Sequence, residues 1–261
     1  MTPLADTHCH LADPKLRPDA GAIIERGRAA GVRAFVSVGA IGSIETDAAT
    51  VAIAERYPDV YAVVGVHPHD AATADSHRFD RLRDLARSAR VVAIGESGLD
   101  FHYLHAPREV QEASLRRHLE LAAELDRPIV IHCREAEARL VEIVREAGMP
   151  PRAGVIHCFT GDAVAAREFL ALGFYISFSG ILTFKNAGAL REAALAAPDD
   201  RVLVETDAPY LAPEPYRGRV NEPAYVARTL EVLARLRGSD PETLGACVLE
   251  NASRLFGLAP V

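Results

Sequence analysis

The sequence predicts a single (β/α)₈, or TIM, barrel, an α/β fold in which parallel strands alternate with helices. The chain has 261 residues, and about 250 is typical for one such barrel. Short apolar runs recur along it, with helical patterns between them. The runs are apolar throughout rather than alternating, as expected for parallel strands that are buried on both faces.

The predicted strands are rich in β-branched residues and extend from one end of the chain to the other. In order they are Leu4–Thr7, Ala34–Val38, Tyr61–Val66, Val91–Gly95, Ile129–Ile131, Gly154–Ile156, Phe174–Ser177 and Val202–Val204. No linker, repeat or low-complexity tract interrupts them. We therefore expect one barrel domain over residues 1–261.

The segments between the strands carry helix signals. Gly31, Gly148 and Gly173 each follow a helical pattern, at the position where a left-handed residue ends a helix. Leu115, Leu119 and Ala122 have the i, i+4, i+7 spacing of a buried stripe. Asp240-Pro241 is typical of an N-cap followed by proline at the first helical position.

A doubly wound open sheet is the alternative fold for alternating strands and helices. Such sheets usually bind phosphate through a GxGxxG loop after the first strand. The first predicted strand is followed by His-Cys-His-Leu-Ala-Asp instead. This difference and the eight strands favour the barrel.

Composition limits the class of protein. The formal charge of −7 argues against non-specific binding along a duplex, although one local pocket can still take a few nucleotides. The 4 cysteines are too few and too poorly spaced for a disulfide framework. The chain begins without a signal-peptide pattern and has no apolar run of membrane-spanning length. We expect a cytoplasmic protein without a membrane partner, acting as a monomer.

Titratable side chains stand at the predicted carboxyl ends of six of the strands. His8 and His10 close the first strand, His67 and His69 follow the third, Glu96, His132 and His157 end the fourth to sixth, and Asp207 follows the eighth. Barrel active sites lie at this end of the strands. Random placement would instead scatter such residues over both rims and the helices.

Four histidines and two carboxylates predict a binuclear metal site. His8 and His10 are two residues apart, so both point to the same face of an extended strand. The six candidate ligands are His8, His10, Glu96, His132, His157 and Asp207. One tetrahedral ion uses fewer ligands, whereas two ions bridged by a carboxylate use them all. We expect two divalent ions per chain, of zinc, manganese or magnesium, with Glu96 as the bridge.

The predicted site suits an anionic substrate. Two divalent ions outweigh the charges of Glu96, Asp207 and a bridging hydroxide, so the pocket attracts phosphate within an acidic protein. Arg134, two residues after His132, is predicted to contact that phosphate, with a salt bridge at the rim as the alternative. Glu96 and Asp207 are the predicted catalytic residues, and Asp207 can accept or orient the proton of the attacking water.

Other residues near the predicted ligands allow two interpretations. Cys9, Cys133 and Cys158 adjoin ligand histidines, but strand alternation predicts that they point away, toward the helices. His77, His102, His105 and His118 are expected on the surface or in loops. Aromatic side chains on the rim loops can stack bases or simply pack, and Tyr103 and Phe159 are the predicted substrate contacts. The roles of His69, Asp100 and Glu205 stay open.

Several stretches together resemble the TatD family of metal-dependent deoxyribonucleases, within the amidohydrolase-like barrels. They include Asp-Thr-His-Cys-His-Leu (6–11), Val-Gly-Val-His-Pro-His (64–69), Ile-Gly-Glu-Ser-Gly-Leu-Asp (94–100), Pro-Ile-Val-Ile-His-Cys-Arg (128–134), Ile-His-Cys-Phe-Thr-Gly (156–161) and Glu-Thr-Asp-Ala-Pro-Tyr-Leu (205–211). Many barrel relatives bridge their metals with a carbamylated lysine on strand four. Here that place holds Glu96, which favours the TatD branch.

The resemblance implies a site and an activity. It implies one metal held by His8, His10, Glu96 and Asp207, and another held by Glu96, His132 and His157. His67 is implied as a substrate contact. The implied activity is hydrolysis of ester bonds, as a 3′-to-5′ exonuclease on DNA ends or oligonucleotides, with single strands favoured. The alternatives are an ester or amide hydrolase, such as a D-aminoacyl-tRNA deacylase, and a non-catalytic module stabilised by metal.

Overall fold

The computed structural model describes residues 2–259, and within them one sheet of 8 strands follows the chain order from first to last. All neighbouring strands pair in parallel. The strands are β1 Leu4–Cys9, β2 Val32–Val38, β3 Val60–Val64, β4 Val91–Asp100, β5 Ile129–Arg134, β6 Gly154–Ile156, β7 Tyr175–Phe178 and β8 Val202–Val204. The predicted (β/α)₈ barrel is confirmed.

The barrel closes where its first strand meets the segment after its last. Cys9 forms a parallel bridge with Ala208. On either side of it, Asp207 N donates to His8 O over 2.9 Å, and His10 N donates to Ala208 O over 2.7 Å. This seam therefore places three predicted ligands, His8, His10 and Asp207, on one short stretch of paired backbone.

Helices surround the sheet and close its floor. They are α1 Ala20–Ala29, α2 Ile44–Arg56, α3 Ser76–Leu85, α4 Arg108–Glu124, α5 Glu137–Ala147, α6 Ala163–Ala171, α7 Gly188–Ala196, α8 Val226–Arg237 and α9 Pro241–Phe256. The end of α9 packs on the apolar barrel interior through Leu255 and Phe256. Asn251 in α9 donates to Val202 O over 2.9 Å, so the floor is fixed to β8. In the described part of the chain, no helix has the length and hydropathy to cross a membrane.

The structure contains the glycines with positive φ and the N-cap that the sequence predicted at helix ends. Gly31, Gly148 and Gly173 have φ values of +102°, +84° and +93°, which a side chain would disfavour. The Asp240 carboxylate caps α9 by accepting from Thr243 N over 2.9 Å.

The prediction that His118 lies on the surface is wrong. The residue is fully buried on α4, and its Nε2 accepts from Val66 N over 3.0 Å. This bond fixes the segment that leads to His67.

Strand ends near the barrel mouth differ from the sequence prediction. We expected β4 to end at Gly95 and β5 at Ile131, but they continue to Asp100 and Arg134. Gly98 pairs with His132 there, and a Cβ at residue 98 would lie 2.0 Å from the His132 carbonyl oxygen. Glycine and polar residues interrupt the apolar pattern of β4 but allow this close approach.

Two β-bulges turn ligand side chains toward the mouth. In β1 the register moves from Asp6–Phe35 to Cys9–Ser37, so β1 has an extra residue relative to β2. In β4 it moves from Gly95–Val130 to Ser97–Ile131, which leaves Glu96 unpaired between them. Bulges re-aim side chains beside active sites. They account for the inward direction of His8 and Glu96.

Candidate metal centre

The six predicted ligands lie together at the mouth of the barrel. They belong to β1, β4 and β5 and to the segments after β1, β6 and β8. Three groups of donor atoms can each hold an ion: His8, Glu96 and His157; His8, His10 and Asp207; and His67, Glu96 and His132. Within each group the donor atoms lie within 4.8 Å of one another. The convergence expected from the strand ends is therefore present.

Glu96 occupies the centre and presents its two oxygens to different neighbours. Oε2 lies 3.3 Å from His8 Nε2 and 4.0 Å from His10 Nε2. Oε1 lies 2.7 Å from His157 Nε2 and 3.1 Å from His132 Nδ1. One buried carboxylate thus separates two sets of imidazoles, as a bridging ligand must.

The set on the seam consists of His8, His10 and Asp207. The Nε2 atoms of the two histidines are 3.3 Å apart, which agrees with the expectation that they share a face. Asp207 Oδ1 lies 3.3 Å from His10 Nε2 and 3.9 Å from His8 Nε2. Asp207 is the more accessible carboxylate, with 14% of its side chain exposed against 2% for Glu96.

The second set consists of His132, His157 and His67. His157 Nε2 lies 3.4 Å from His132 Nδ1, and His67 Nε2 lies 3.3 Å from Glu96 Oε1. His67, expected as a substrate contact, therefore stands at a donor position as well. The sequence signal for this position was its place just after β3, since the other candidate ligands also lie at or after strand ends.

Groups outside the two sets hold the far nitrogens of the rings. His10 Nδ1 lies 3.0 Å from Val38 O, and His157 Nδ1 lies 3.2 Å from Glu205 Oε1. His132 Nε2 lies 3.2 Å from Asp100 Oδ2. Such contacts place the N–H on the outer nitrogen and leave the inner one free to bind. Glu205 and Asp100, whose roles the sequence left open, orient ligand rings.

Asp100 also anchors the loop after β4. Its Oδ1 accepts from the backbone N–H groups of His102 and Tyr103, over 3.0 and 2.9 Å. Its Oδ2 also lies 2.9 Å from His69 Nε2. Gln111 fixes the backbone of Asp100 by accepting from its N–H over 2.7 Å and donating to its carbonyl over 3.1 Å. Sequence reasoning assigned Gln111 no role, and only the folded chain brings it to Asp100.

Electrostatics keep the central carboxylate ionised. Burial alone would raise the pKa of Glu96, but His157 and His67 hold it well below its usual range. Burial also opposes protonation of His157, yet Glu96 and Glu205 raise its pKa well above the ordinary value. At His8 burial dominates and lowers the pKa. Burial thus favours the neutral form of His8, the form that binds metal, whereas the two carboxylates raise the pKa of His157.

The residues present fit a pair of divalent ions. Inner ring nitrogens face each other at 3.3 Å in one pair of histidines and at 3.4 Å in another. The outer nitrogens of His10, His132 and His157 already have protein partners, so the inner ones are free to bind. His8 Nδ1 and Glu205 Oε2 are buried without a hydrogen-bond partner among the described residues. So many lone pairs aimed at common points match metal binding better than a self-contained hydrogen-bond network.

A pocket of about 410 Å³ opens above the donor groups. Predicted substrate contacts His67, Arg134 and Tyr103 line it, together with His69, Asp100 and Tyr210. The Arg134 guanidinium lies 4.7 Å from the centre of the Tyr103 ring. Arg134 makes no ion pair with a described carboxylate, so the alternative of a rim salt bridge does not apply.

Phe159 does not reach this pocket, and its prediction as a substrate contact is corrected. The side chain is 2% exposed, and its ring packs edge-on against Phe169 and Phe178. The segment after β6 turns the ring into the helix layer, where burial of aromatic area favours it.

The cysteines beside the ligands largely follow the prediction. Cys9 and Cys133 pack in the cluster between strands and helices, and no metal-capable group in residues 2–259 includes a cysteine. Cys158 is different, since its Sγ lies 3.2 Å from Ser179 Oγ at the rim.

Comparison with known proteins places this architecture in one family. A family model described as "TatD related DNase" matches residues 5–257. The "Uncharacterized metal-dependent hydrolase YabD" of Bacillus subtilis is 40% identical over 253 residues, covering 97% of this chain and 98% of that protein. The "3'-5' ssDNA/RNA exonuclease TatD" of Cronobacter sakazakii is 40% identical over 257 residues, covering 96% and 97%.

A solved structure agrees with these sequence matches. The crystal structure of YJJV, a TatD homolog from Escherichia coli, superposes with a TM-score of 0.92 at 32% identity and covers 98% of each chain. An organophosphorus hydrolase variant from Deinococcus radiodurans has a TM-score of 0.63 at 20% identity, which is a likeness of fold alone.

Proposed function

The chain belongs to the TatD family of metal-dependent hydrolases, and we propose that it removes nucleotides from the 3′ ends of DNA, with single strands favoured. The observation that carries the proposal is the position of Glu96, whose two oxygens face separate sets of donors. The relative from Cronobacter sakazakii, described as acting on single-stranded DNA and RNA, supports the substrate class.

The proposed ligands divide at Glu96. His8, His10, Glu96 and Asp207 would hold one ion, and Glu96, His132 and His157 the other. His67 belongs to the second set of side chains and would add a further donor or a substrate contact. When bound, the two ions would acidify a water and neutralise charge on the phosphoryl group.

The chain's own residues position the substrate and move the proton. Arg134 neutralises a non-bridging phosphate oxygen from the pocket wall, since no described carboxylate pairs with it. Tyr103 offers a ring to the terminal base. Asp207 accepts the proton of the attacking water through Oδ2, because Oδ1 is the oxygen nearest His10. Asp100 and Glu205 keep the His132 and His157 rings aligned for repeated turnover.

Replacement of Asp207 by asparagine tests the proton-accepting role. Asp207→Asn should lower kcat on single-stranded DNA by about 10²- to 10⁴-fold while the thermal midpoint stays near that of the wild type. Asp162→Asn is the matched control, because Asp162 only caps α6, accepting from Val164 N and Ala165 N, and asparagine caps equally well. A fully active Asp207→Asn protein would contradict the role.

A substrate comparison tests the proposed bond class. Metal-reconstituted protein is assayed on single-stranded DNA, RNA, an aminoacyl-tRNA and bis(p-nitrophenyl) phosphate, each with an EDTA control. We expect EDTA-sensitive release of mononucleotides from the 3′ end of DNA. If the aminoacyl-tRNA were deacylated faster than any phosphodiester was cleaved, the nuclease proposal would be wrong and the protein would be a carboxylic-ester hydrolase.

A further inference from the structure

Five cations without ion-pair partners among residues 2–259 lie on the catalytic face, above and beside the metal centre. Lys15 and Lys185, the two lysines of the chain, both lie there, in the segments after β1 and β7. Arg108, Arg134 and Arg217 lie there as well, after β4, at the end of β5 and after β8. None of the five forms an ion pair with a carboxylate of residues 2–259.

Four of these cations lie over aromatic rings, one in the same β–α connection and three in a neighbouring one. Lys15 Nζ lies 5.5 Å from the centre of the Tyr210 ring, and Arg134 lies 4.7 Å from that of Tyr103. The Arg108 and Arg217 guanidinium carbons lie 4.2 and 4.1 Å from the ring centres of Phe101 and Phe184. Each pair leaves a positive charge beside a flat apolar surface at the rim.

Several arginines elsewhere are held by ion pairs, although cation–aromatic contacts also occur away from this face, as between Arg117 and Phe79. Helix arginines such as Arg28, Arg83 and Arg139 pair with carboxylates of neighbouring helices or strands. On the catalytic face the carboxylates beside the free cations have other partners. Asp13 accepts from the Tyr210 hydroxyl over 3.0 Å, and Glu135 lies 2.7 Å from His102 Nδ1. These cations are therefore not neutralised by direct ion pairs, although the whole chain carries −7.

The four pairs form two arcs that meet at the pocket. Lys15–Tyr210 and Arg217–Phe184 lie on the adjacent loops after β1, β7 and β8, which are joined by a 2.9 Å bond from Glu214 N to Thr183 Oγ1. Arg134–Tyr103 and Arg108–Phe101 lie on the adjacent loops after β4 and β5. Tyr210 and Tyr103 both line the pocket, so each arc begins at its lip.

We propose that these four cation–aromatic pairs and Lys185, the residue after Phe184, here together called the rim track, bind a single-stranded polynucleotide beyond the nucleotide that occupies the pocket. Cations follow the phosphates, and each aromatic ring stacks an unpaired base. A duplex keeps its bases stacked inward, so it can use the cations but not the rings. The inference rests on the proposed function in taking nucleic acid as the ligand, and it concerns residues outside the metal centre.

Binding measurements on the double variant Lys185→Ala/Arg217→Ala test the rim track. Protein treated with EDTA, so that cleavage stops, is titrated against fluorescein-labelled dT12, dT2 and a dT12·dA12 duplex by anisotropy at several salt concentrations. Loss of two phosphate contacts should weaken dT12 binding about tenfold and reduce the salt slope by about 1.4. The dT2 affinity should change much less, because two nucleotides do not extend from the pocket to the outer part of the arc.

Two further variants separate this effect from general changes in charge or folding. Lys185→Arg/Arg217→Lys keeps both charges and should restore the salt slope. Arg87→Ala removes an exposed helix cation that pairs with Asp84 and should not alter dT12 binding. Equal weakening of dT2 and dT12, or an unchanged slope in the alanine variant, would overturn the rim track.

Catalytic assays distinguish failure of this inference from failure of the proposed function. If no substrate is hydrolysed but the alanine variant still loses length-dependent dT12 binding, the rim track stands and the nuclease proposal fails. If DNA is cleaved but the variant binds dT12 as well as the wild type does, the nuclease proposal stands and the rim track fails.

Discussion

Two buried charged clusters lie near the mouth of this barrel, and they are built in opposite ways. In one, Asp47 of α2 accepts from Ala40 N and Gly65 N through Oδ1, over 2.9 and 3.1 Å, and from Arg78 through Oδ2 over 2.8 Å. In the other, Glu96 faces four imidazoles, and several ring nitrogens face one another. The first cluster matches donors to acceptors, whereas the second brings acceptors together.

The difference shows what each cluster is for. A buried ion pair whose carboxylate oxygens both accept hydrogen bonds fixes the elements that supply the donors, here α2, α3 and the ends of β2 and β3. A cluster of converging lone pairs cannot satisfy itself and is held in place by the surrounding strands. In this protein, a buried charged cluster therefore indicates a metal-binding site where acceptor atoms converge without matching donors.

The largest expected effect comes from Glu96→Gln, which removes the shared oxygen charge from the second cluster. Metal content should fall below the two ions per chain expected for the wild type, and DNA cleavage should fall to the level of EDTA-treated protein. Elemental analysis after reconstitution and the cleavage assay check this result. The control is Glu168→Gln, on the exposed face of α6. Two bound ions and normal turnover in Glu96→Gln would remove the basis for a bridging carboxylate.

The next largest effect is expected for Asp47→Ala, which acts on the first cluster. It leaves the 7%-exposed Arg78 without its carboxylate, and breaking a buried pair in this way costs about 3–5 kcal/mol of unfolding free energy. Urea unfolding measures the loss, and metal content per folded chain should not change. Asp47→Asn keeps the acceptor for Ala40 N and Gly65 N and should lose less. If the Asp47→Ala protein were as stable as the wild type but bound a different amount of metal, the structural role of the Asp47 cluster would be contradicted.

A smaller effect is expected for Asp100→Asn, at the border of the second cluster. The amide no longer fixes the His132 ring by charge, and loss of such an orienting group weakens metal affinity by about 10- to 100-fold. Competition with a chromogenic chelator measures the affinity. Glu135→Gln is the control, because Glu135 lies on the same rim but contacts only the half-exposed His102. Unchanged affinity in Asp100→Asn would mean that packing alone holds the ring.

The sequence predicted the fold and most of the site because both depend on regular patterns. Apolar runs predicted all eight strands, and positions at strand ends predicted the convergence of His8, Glu96, His132, His157 and Asp207. What the patterns missed depends on contacts between distant segments. The last residues of β4 are strand only because they pair with β5, and Phe159 is buried only because α6 and β7 supply neighbours.

The same limit explains the histidines. His118 stands on a helix in a pattern that suits the surface, and only the approach of Val66 makes it a buried acceptor. His67 lies three residues beyond β3, so its direction depends on that contact and on the following turn. Asp100 and Gln111 act through hydrogen bonds across 11 residues, which no periodicity records.

The closed seam between β1 and the segment after β8 has a consequence for how the protein is made. His8 and His10 leave the ribosome early, but Asp207 N–H reaches His8 O only after the last strand has been synthesised and has paired with the first. A growing chain therefore lacks one carboxylate of the donor set for most of its synthesis. The donor set is therefore assembled only when the barrel is complete.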